Sequence, residues 1–330
     1  MANFDAKNIR NVVILGHQST GKTTLVESLA FIAGLIPQKG EVEKKNTISD
    51  YTVDEQKRGG SIQTAVIPVV YKDLKVNIID VPGNDDFIGE AIGATKVVKG
   101  AILLVDATVG VQVGTIKHWN FLRKANIPTV VLVNKCDKEE AKFDDCLADI
   151  RAKLGSNAIP FSYPLGHGAG FDGYVDVVDL VAEKFDGKEE KQAELFEDKK
   201  AKAEELHGMI LEEVAKTSDE LLEKYFGGEE FTQEEIHTAL RSAVAKGELV
   251  PVVCGSALKN IAIKSLLSMA KSFLPSPADL GALKGKDDNG NEVTRETKDD
   301  APFSGFVFKT VVDPYSGVIK IGRASCRERV

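Results

Sequence analysis

The sequence lacks the features that would point to a membrane, a metal cluster or DNA. No apolar run approaches the roughly 18 residues of a membrane helix, and the first residues, MANFDAKNIRN, contain no apolar signal core. The net charge is -8 and no basic block offsets it, so nothing suggests DNA binding. The cysteines at 136, 146, 254 and 326 lack CxxC spacing and a histidine cluster, which argues against zinc and disulfides. We therefore expect a cytoplasmic protein.

Short apolar runs rich in β-branched residues alternate with helical stretches. This alternation predicts an α/β fold, a mainly parallel sheet with helices on both faces, and 330 residues allow about two domains. Strands are predicted at 11–15, 76–80, 101–105, 129–133 and 249–253, and residues 65–72 are expected to form an antiparallel hairpin at the sheet edge. Helices are predicted at 22–33, 88–98, 116–125, 144–154 and 263–273.

The expected domain organisation follows from the spacing of these elements. A first domain, 1–280, should contain an inserted α+β subdomain at about 155–248, because that stretch is far longer than a helix-to-strand connection requires. Within it, the charged run KFDGKEEKQAELFEDKKAKAEELHGMI (184–210) predicts a solvated helix, with a partner-binding face as the alternative. Residues 281–300 are predicted to be a linker.

The end of the chain contains the start of a further unit. Residues 301–320 alternate like the strands of a β-barrel domain, but they are too few to close a barrel. The final segment IGRASCRERV (321–330) matches the translation of a common sequencing adapter, and we interpret it as an artefactual tail; a genuine basic terminus is the alternative. Cys326 therefore carries no functional weight.

The segment GHQSTGKT (16–23) fits the phosphate-binding pattern GxxxxGK[ST], between a predicted strand and a predicted helix. Glycines there let backbone N–H groups surround phosphate oxygens, Lys22 brings positive charge to the β- and γ-phosphates, and Thr23 offers a hydroxyl to Mg²⁺. The alternative is a glycine-rich turn with an accidental Lys-Thr pair. The residues expected to contact a nucleotide here are Gly16, His17, Gln18, Ser19, Thr20, Gly21, Lys22, Thr23 and Thr24.

Three later segments complete the predicted site. In DVPG (80–83), Asp80 ends a predicted strand where it can hold Mg²⁺ directly or through water, and the Gly83 N–H can reach a γ-phosphate. In NKCD (134–137), which follows the strand 129–133, Asp137 can accept hydrogen bonds from both N1–H and N2–H₂ of guanine. Adenine lacks this pair of donors, so the sequence predicts GTP over ATP.

The remaining base contacts come from the same loops. Asn134 can tie the loops together, and the Lys135 stem can cover the base and ribose. The segment GSAL (255–258) offers Ser256 and the backbone N–H groups of Ala257 and Leu258 to guanine O6, with a plain turn as the alternative.

With these four motifs in this order, the chain resembles translational GTPases, and most closely the elongation factor G family. The resemblance extends to about Lys320: TISDYTVDEQKRGGSIQT (47–64) is similar to the first switch, and the insertion is typical of this family. It implies GTP or GDP and Mg²⁺ as cofactors, with Ser61 joining Thr23 and Asp80 as metal ligands. It further implies a cytoplasmic monomer that hydrolyses GTP and acts on the ribosome in tRNA and mRNA translocation.

The chain departs from the family pattern where hydrolysis is concerned. RGGSI (58–62) replaces Arg-Gly-Ile-Thr-Ile, Gln18 replaces an apolar residue, Ser19 replaces an aspartate, and Asn84 replaces the histidine that positions the attacking water. Asparagine can hydrogen-bond to a water but cannot become a cation. Catalysis would therefore rest on Asn84, Gly83 and Lys22. The alternative is a ribosome-binding GTP switch with weak or no hydrolysis, as in an inactive paralogue or a ribosomal-protection protein.

Overall fold

The apolar runs of the sequence form strands, and the stretches between them form helices. The structure, a computed structural model, describes residues 4–187, 189–194, 197–287, 289–297, 304–313, 315 and 317–324. Its strands are β1 (Ile9–Gly16), β2 (Ala65–Tyr71), β3 (Leu74–Asp80), β4 (Gly100–Asp106), β5 (Thr129–Asn134), β6 (Ala158–Pro160), β7 (Ser162–Leu165), β8 (Gly173–Asp176), β9 (Val181–Phe185), β10 (Glu190–Ala193), β11 (Val250–Cys254), β12 (Leu283–Lys286), β13 (Glu292–Arg295), β14 (Gly305–Asp313) and β15 (Gly317–Ala324). Its α-helices are α1 (Lys22–Ile32), α2 (Val53–Arg58), α3 (Ile88–Thr95), α4 (Val113–Lys124), α5 (Phe143–Lys153), α6 (Glu197–Ala215), α7 (Asp219–Phe226), α8 (Gln233–Lys246) and α9 (Ile263–Phe273).

A seven-stranded sheet organises the first part of the chain, in the order β2-β3-β1-β4-β5-β11-β6. Neighbouring strands are parallel except for the β2–β3 hairpin, which lies at one edge as predicted. Every residue of β4 and β5 is buried. Strands covered on both faces appear as continuous apolar runs, which is why the sequence showed them clearly. The predicted α/β fold with a mainly parallel sheet is confirmed.

Helices cover both faces of this sheet. Successive side chains of a strand point to opposite faces, and β1 accordingly divides its apolar residues between two cores. Val12 and Ile14 pack with residues of α1, α6, α8 and α9, whereas Val13 and Leu15 pack with residues of α3, α4 and α5. The carboxyl ends of the parallel strands therefore meet at one edge, where the functional loops begin.

The strand β6 joins the main sheet beside β11, although the sequence predicts no strand there. Three residues are too few to show a periodic pattern. The chain then enters a separate antiparallel sheet of order β10-β9-β8-β7, followed by α6, α7 and α8. Residues 158–160 thus belong to the main sheet, and the division into domains stays a prediction.

The prediction of one solvated helix over 184–210 is wrong. The first part of this run forms the end of β9 and all of β10, which pair antiparallel, and α6 begins only at Glu197. Leu206, Ile210 and Val214 of α6 are buried in the core. Their spacing of four residues places them on one helix face. The many lysines and glutamates of the run concealed both the turn and that face.

The last described segments form two antiparallel strand pairs. The predicted linker contains β12 and β13, and β14 pairs with β15. The strand β15 continues to Ala324, inside the segment interpreted as an adapter-derived tail, whereas Cys326 and the other residues of 325–330 lie outside the described part of the chain. Across the described ranges, no helix combines the length and apolarity needed to cross a bilayer.

Glu190 connects the inserted part of the chain to α9. Its Oε1 accepts the N–H of Ala262, the residue before α9, at 2.8 Å. Burial and the nearby charge of Glu183 raise the pKa of Glu190 to about 7, against the opposing effect of the Ala262 hydrogen bond. Glu190 is therefore a partly buried carboxyl that the folded chain prefers protonated.

We expect Glu190→Gln to raise the free energy of unfolding, relative to wild type, more at pH 8 than at pH 5. Because the native pKa of about 7 lies above the ordinary value of 4.5, the stability contributed by Glu190 is fully present below pH 4.5 and is lost as the pH rises through 7. The neutral amide avoids that loss, so its advantage over wild type should grow by on the order of 2 kcal/mol between the two pH values. Urea unfolding of the variant and the wild type at both pH values measures this difference in free energy. Glu189→Gln, at an exposed neighbour, is the control, and an unchanged pH dependence for Glu190→Gln would contradict the prediction.

Candidate nucleotide-binding site

The loop 16–23 joins β1 to α1 in a backbone conformation that requires glycine. Gly16 and Gly21 have φ values of +150° and +94°, a region that L side chains rarely adopt. A Cβ on Gly16 would lie 2.7 Å from the Leu104 carbonyl oxygen, and one on Gly21 would lie 2.5 Å from Asn134 Nδ2. The loop thus forms a closely packed cradle in front of the N-terminus of α1, as expected for phosphate binding.

Lys22 is buried at the first position of α1. Its ammonium group donates hydrogen bonds to the carbonyl oxygens of Gly16 at 3.1 Å and His17 at 2.9 Å. Burial lowers the pKa of Lys22 to about 8, while the charges of Asp80 and Asp50 oppose this shift. Gly83 lies directly beside it, because a Cβ on Gly83 would collide with Lys22 Nζ. Two residues predicted from separate motifs are thus in contact.

The three predicted metal ligands also meet. Thr23 Oγ1 lies 3.4 Å from Ser61 Oγ and 3.5 Å from Asp80 Oδ2. Asp80 Oδ1 is buried and makes no hydrogen bond within the described ranges. Hydroxyl and carboxylate oxygens are the ligands that Mg²⁺ prefers. The residues present therefore fit a magnesium ion.

Asp50 is an additional acidic neighbour that the sequence interpretation missed. It is 4% exposed, and its carboxylate faces Ser61. Burial raises the pKa of Asp50, and burial also raises the pKa of Asp80 to about 7, with Lys22 opposing and Asp50 adding to that rise. Two buried carboxylates beside one ammonium leave an excess of negative charge that a divalent cation would offset. In the sequence Asp50 is a single acid in a polar loop, without any distinguishing pattern.

Glu55 determines where Ser61 lies, and it was also missed. This buried glutamate completes a capping box with Thr52 at the start of α2. Its Oε1 then accepts the backbone N–H groups of Ile62 at 3.0 Å and Gln63 at 3.1 Å. These two hydrogen bonds hold the segment after α2 against the helix. At Gly60, where the family has isoleucine, a Cβ would have no neighbour within 4 Å, so packing does not explain the glycine.

Asn84 has a structural role in the turn after Gly83. Its Oδ1 accepts the N–H of Asp86 at 3.1 Å and begins a short 3-10 helix over 85–87. One of the two lone pairs of Oδ1 is therefore engaged in the turn. The other can still accept from a water, but neither Oδ1 nor the NH₂ group, which is a donor, can take a proton from that water. Gln18, exposed beside Gly83, adds no apolar wall. A catalytic role for Asn84 stays a prediction.

Asn134 connects the two loops that are predicted to bind guanine to the loop that is predicted to bind phosphate. Its Nδ2 donates to the Thr20 carbonyl oxygen at 2.9 Å, and its Oδ1 accepts the Ala257 N–H at 2.9 Å. All three residues are buried. The Ala257 N–H, which was predicted to face guanine O6, thus donates to Asn134 in this structure. For the N–H of Leu258, contact with guanine O6 stays a prediction.

The other base-site residues lie around the same loops. Lys135 pairs with Asp106 at 2.6 Å between Nζ and Oδ2. Burial opposes a low pKa for Asp106, but hydrogen bonds from Lys135 and Thr108 outweigh it and lower that pKa. The sequence did not identify Asp106, which lies at the end of β4. Asp137 is half-buried after the turn, and Ser256 is buried with its Oγ accepting the Lys259 N–H at 3.1 Å.

Comparison with known proteins shows the family to which the chain belongs. A family model described as the elongation factor Tu GTP binding domain matches residues 7–276. The chain belongs to this family of translational GTPases. A crystal structure of a protein from Thermus thermophilus is similar to it, with a TM-score of 0.85 and 32% sequence identity. The match covers 97% of this chain and 46% of that chain, so this translational GTPase sequence spans about half of the neighbour's length.

We expect Asn134→Ala to lower the free energy of unfolding of this translational GTPase by about 2 to 4 kcal/mol in the absence of nucleotide. The change leaves the buried Thr20 carbonyl and Ala257 N–H without their partner, and each unpaired group costs about 1 to 3 kcal/mol. Urea denaturation measures the difference. Asn120→Ala, at an exposed position of α4, is the matched control and should change stability by less than about 0.5 kcal/mol. Similar values for the two variants would contradict the prediction.

Proposed function

We propose that this chain is the guanine-nucleotide switch of an elongation factor G-like translation factor. It binds GTP or GDP with Mg²⁺ and acts on the ribosome in tRNA and mRNA translocation. The main support is the bridge made by Asn134, which joins the phosphate loop to the GSAL loop. An accidental glycine-rich turn would not be tied in this way to a second motif more than a hundred residues away.

Different residues of the site bind the phosphates, the magnesium ion and the base. The cradle 16–24 surrounds the phosphates, Lys22 brings them positive charge, and the Gly83 N–H contacts the γ-phosphate. Thr23, Ser61 and Asp80 would hold Mg²⁺, which when bound supplies charge that offsets the phosphate oxygens. Asp137 distinguishes guanine from adenine through two hydrogen bonds.

Hydrolysis of GTP is the finer part of the proposal, and Asn84 makes a second function reasonable. The acceptor oxygen of Asn84 caps the turn after Gly83, and Gln18 and Gly60 replace the apolar residues that the family uses near the water. The loss of one positioned stabilising group lowers a rate by roughly 10²- to 10³-fold. The second candidate is therefore a GTP switch that occupies the ribosome with weak or no hydrolysis.

The proposed partner is the ribosome, contacted by a monomer in the cytoplasm. The family match to a translation-factor domain supports this partner. The net charge of -8 gives no general attraction to rRNA, so we expect ribosome binding to use local contacts and parts of the protein beyond this chain.

We expect Asp137→Asn to exchange guanine preference for xanthine preference. Guanine offers two donors, N1–H and N2–H₂, whereas xanthine offers N1–H and the acceptor O2, which an asparagine NH₂ can satisfy. GDP affinity should fall by roughly 10²-fold or more while affinity for xanthosine diphosphate rises, measured by calorimetric titration with Mg²⁺ present. Asp145→Asn, at an exposed position of α5, is the control. Unchanged base preference in Asp137→Asn would argue against the proposed base site.

We expect slow GTP hydrolysis by the wild type and a faster rate in Asn84→His. Histidine can hydrogen-bond to a water and also take up a proton, whereas asparagine can only hydrogen-bond to the water, so the gain should be on the order of 10²-fold. Multiple-turnover phosphate release, with and without ribosomes, measures the rates. Asn84→Ala removes the cap without adding an acceptor and should bring no gain. A fast wild type that Asn84→His does not improve would sink the weak-hydrolysis alternative.

A further inference from the structure

Lys39 lies in the loop between α1 and α2 and reaches the GSAL loop. Its ammonium group donates to the carbonyl oxygens of Leu258 at 2.6 Å and Ala257 at 3.1 Å, and to Asn260 Oδ1 at 2.9 Å. Ser28 of α1 also donates to the Ala257 carbonyl oxygen. One lysine from the loop that precedes the first-switch region (47–64) thus holds two consecutive carbonyl groups of a loop predicted to contact the base.

These contacts determine the direction of the Leu258 N–H. The Ala257 carbonyl and the Leu258 N–H belong to one peptide unit, and the described residues contain no cis peptide bond. In a planar trans peptide the two groups point in opposite directions. Since Lys39 and Ser28 hold the carbonyl, the Leu258 N–H points away from them. The preceding N–H, of Ala257, is already held by Asn134.

The backbone of Lys39 adjoins segment 40–48, whose two ends bind to the same side chain. Glu27 of α1 is 1% exposed, and its two oxygens accept the Gly40 N–H at 2.7 Å and the Ile48 N–H at 2.6 Å. Both ends of segment 40–48 are therefore held by one carboxylate. Asp50, beside the predicted metal ligands, lies two residues after this segment. A displacement of this segment would withdraw Lys39 from the GSAL loop.

We propose that Lys39 is a positioning residue for base recognition, which couples segment 40–48 to the GSAL loop and slows nucleotide release while that segment is in place. The inference rests on the proposed function of guanine-nucleotide binding. Lys39 itself contacts the loop carbonyls and acts on the base only through the Leu258 N–H. Movement of segment 40–48 is then a way to release nucleotide without any change in the NKCD loop.

The test compares the dissociation rate of fluorescently labelled GDP from wild type and Lys39→Met, which keeps the stem but loses the ammonium group. We expect dissociation from the variant to be on the order of 10- to 100-fold faster, because charge-assisted hydrogen bonds to two carbonyl groups are lost. Lys44→Met is the matched control: Lys44 lies in the adjoining segment 40–48 but pairs with Glu41, so the dissociation rate of this variant should equal that of wild type.

A second measurement separates positioning from general disruption. Inosine diphosphate shares O6 with guanine but lacks the N2 amino group, which Asp137 is predicted to bind. Lys39→Met should therefore weaken GDP and inosine diphosphate by the same factor and leave their affinity ratio unchanged, and Lys39→Arg should recover part of the loss. A distortion that extends to Asp137 would change the ratio.

Three outcomes would overturn the inference. Dissociation from Lys39→Met within twofold of Lys44→Met, or a changed affinity ratio, would overturn it while the proposed function stands. A wild type that binds no GDP would overturn the proposed function and this inference together.

Discussion

The side-chain amide of Asn134 is the interaction on which the rest of the site depends. It lies at the end of a fully buried strand, and its two polar atoms pair with backbone groups of the phosphate loop and the GSAL loop. A buried amide group needs hydrogen-bond partners, because a buried polar group without a hydrogen bond lowers the stability of the fold. The phosphate and base regions therefore share one framework, and Gly21 is needed because any side chain there would meet Asn134 Nδ2.

A second constraint is electrostatic. Lys22, Asp80 and Asp50 are buried together, and burial shifts the pKa of each toward its neutral form. Such a cluster is an expensive arrangement for folding alone, but it is well suited to phosphates and a divalent cation, which add charges of both signs. Glu55 and Glu27 use their carboxylates differently: each accepts backbone N–H groups and holds part of the first-switch region in place.

Two departures from the family pattern, Gln18 and Asn84, lie beside Gly83, whereas Gly60 and Ser61 lie in the segment that follows α2. The role of Asn84 could not be determined from the sequence alone. An asparagine after that glycine suggests a weakened catalyst, but only the turn geometry shows that its acceptor oxygen caps the following 3-10 helix. The same side chain therefore has a local structural reason to be there, independent of any effect on hydrolysis.

The sequence alone determined the α/β sheet, its edge hairpin and the order of the nucleotide motifs, because buried parallel strands and glycine-dependent loops leave local patterns. Tertiary structure decided what depends on contacts between distant segments. It placed β6 in the main sheet, buried one face of α6 despite its charged sequence, and directed the Ala257 N–H to Asn134. Asp50, Glu55 and Lys39 escaped prediction for the same reason: a single polar residue in a loop has no pattern until the fold supplies its partners.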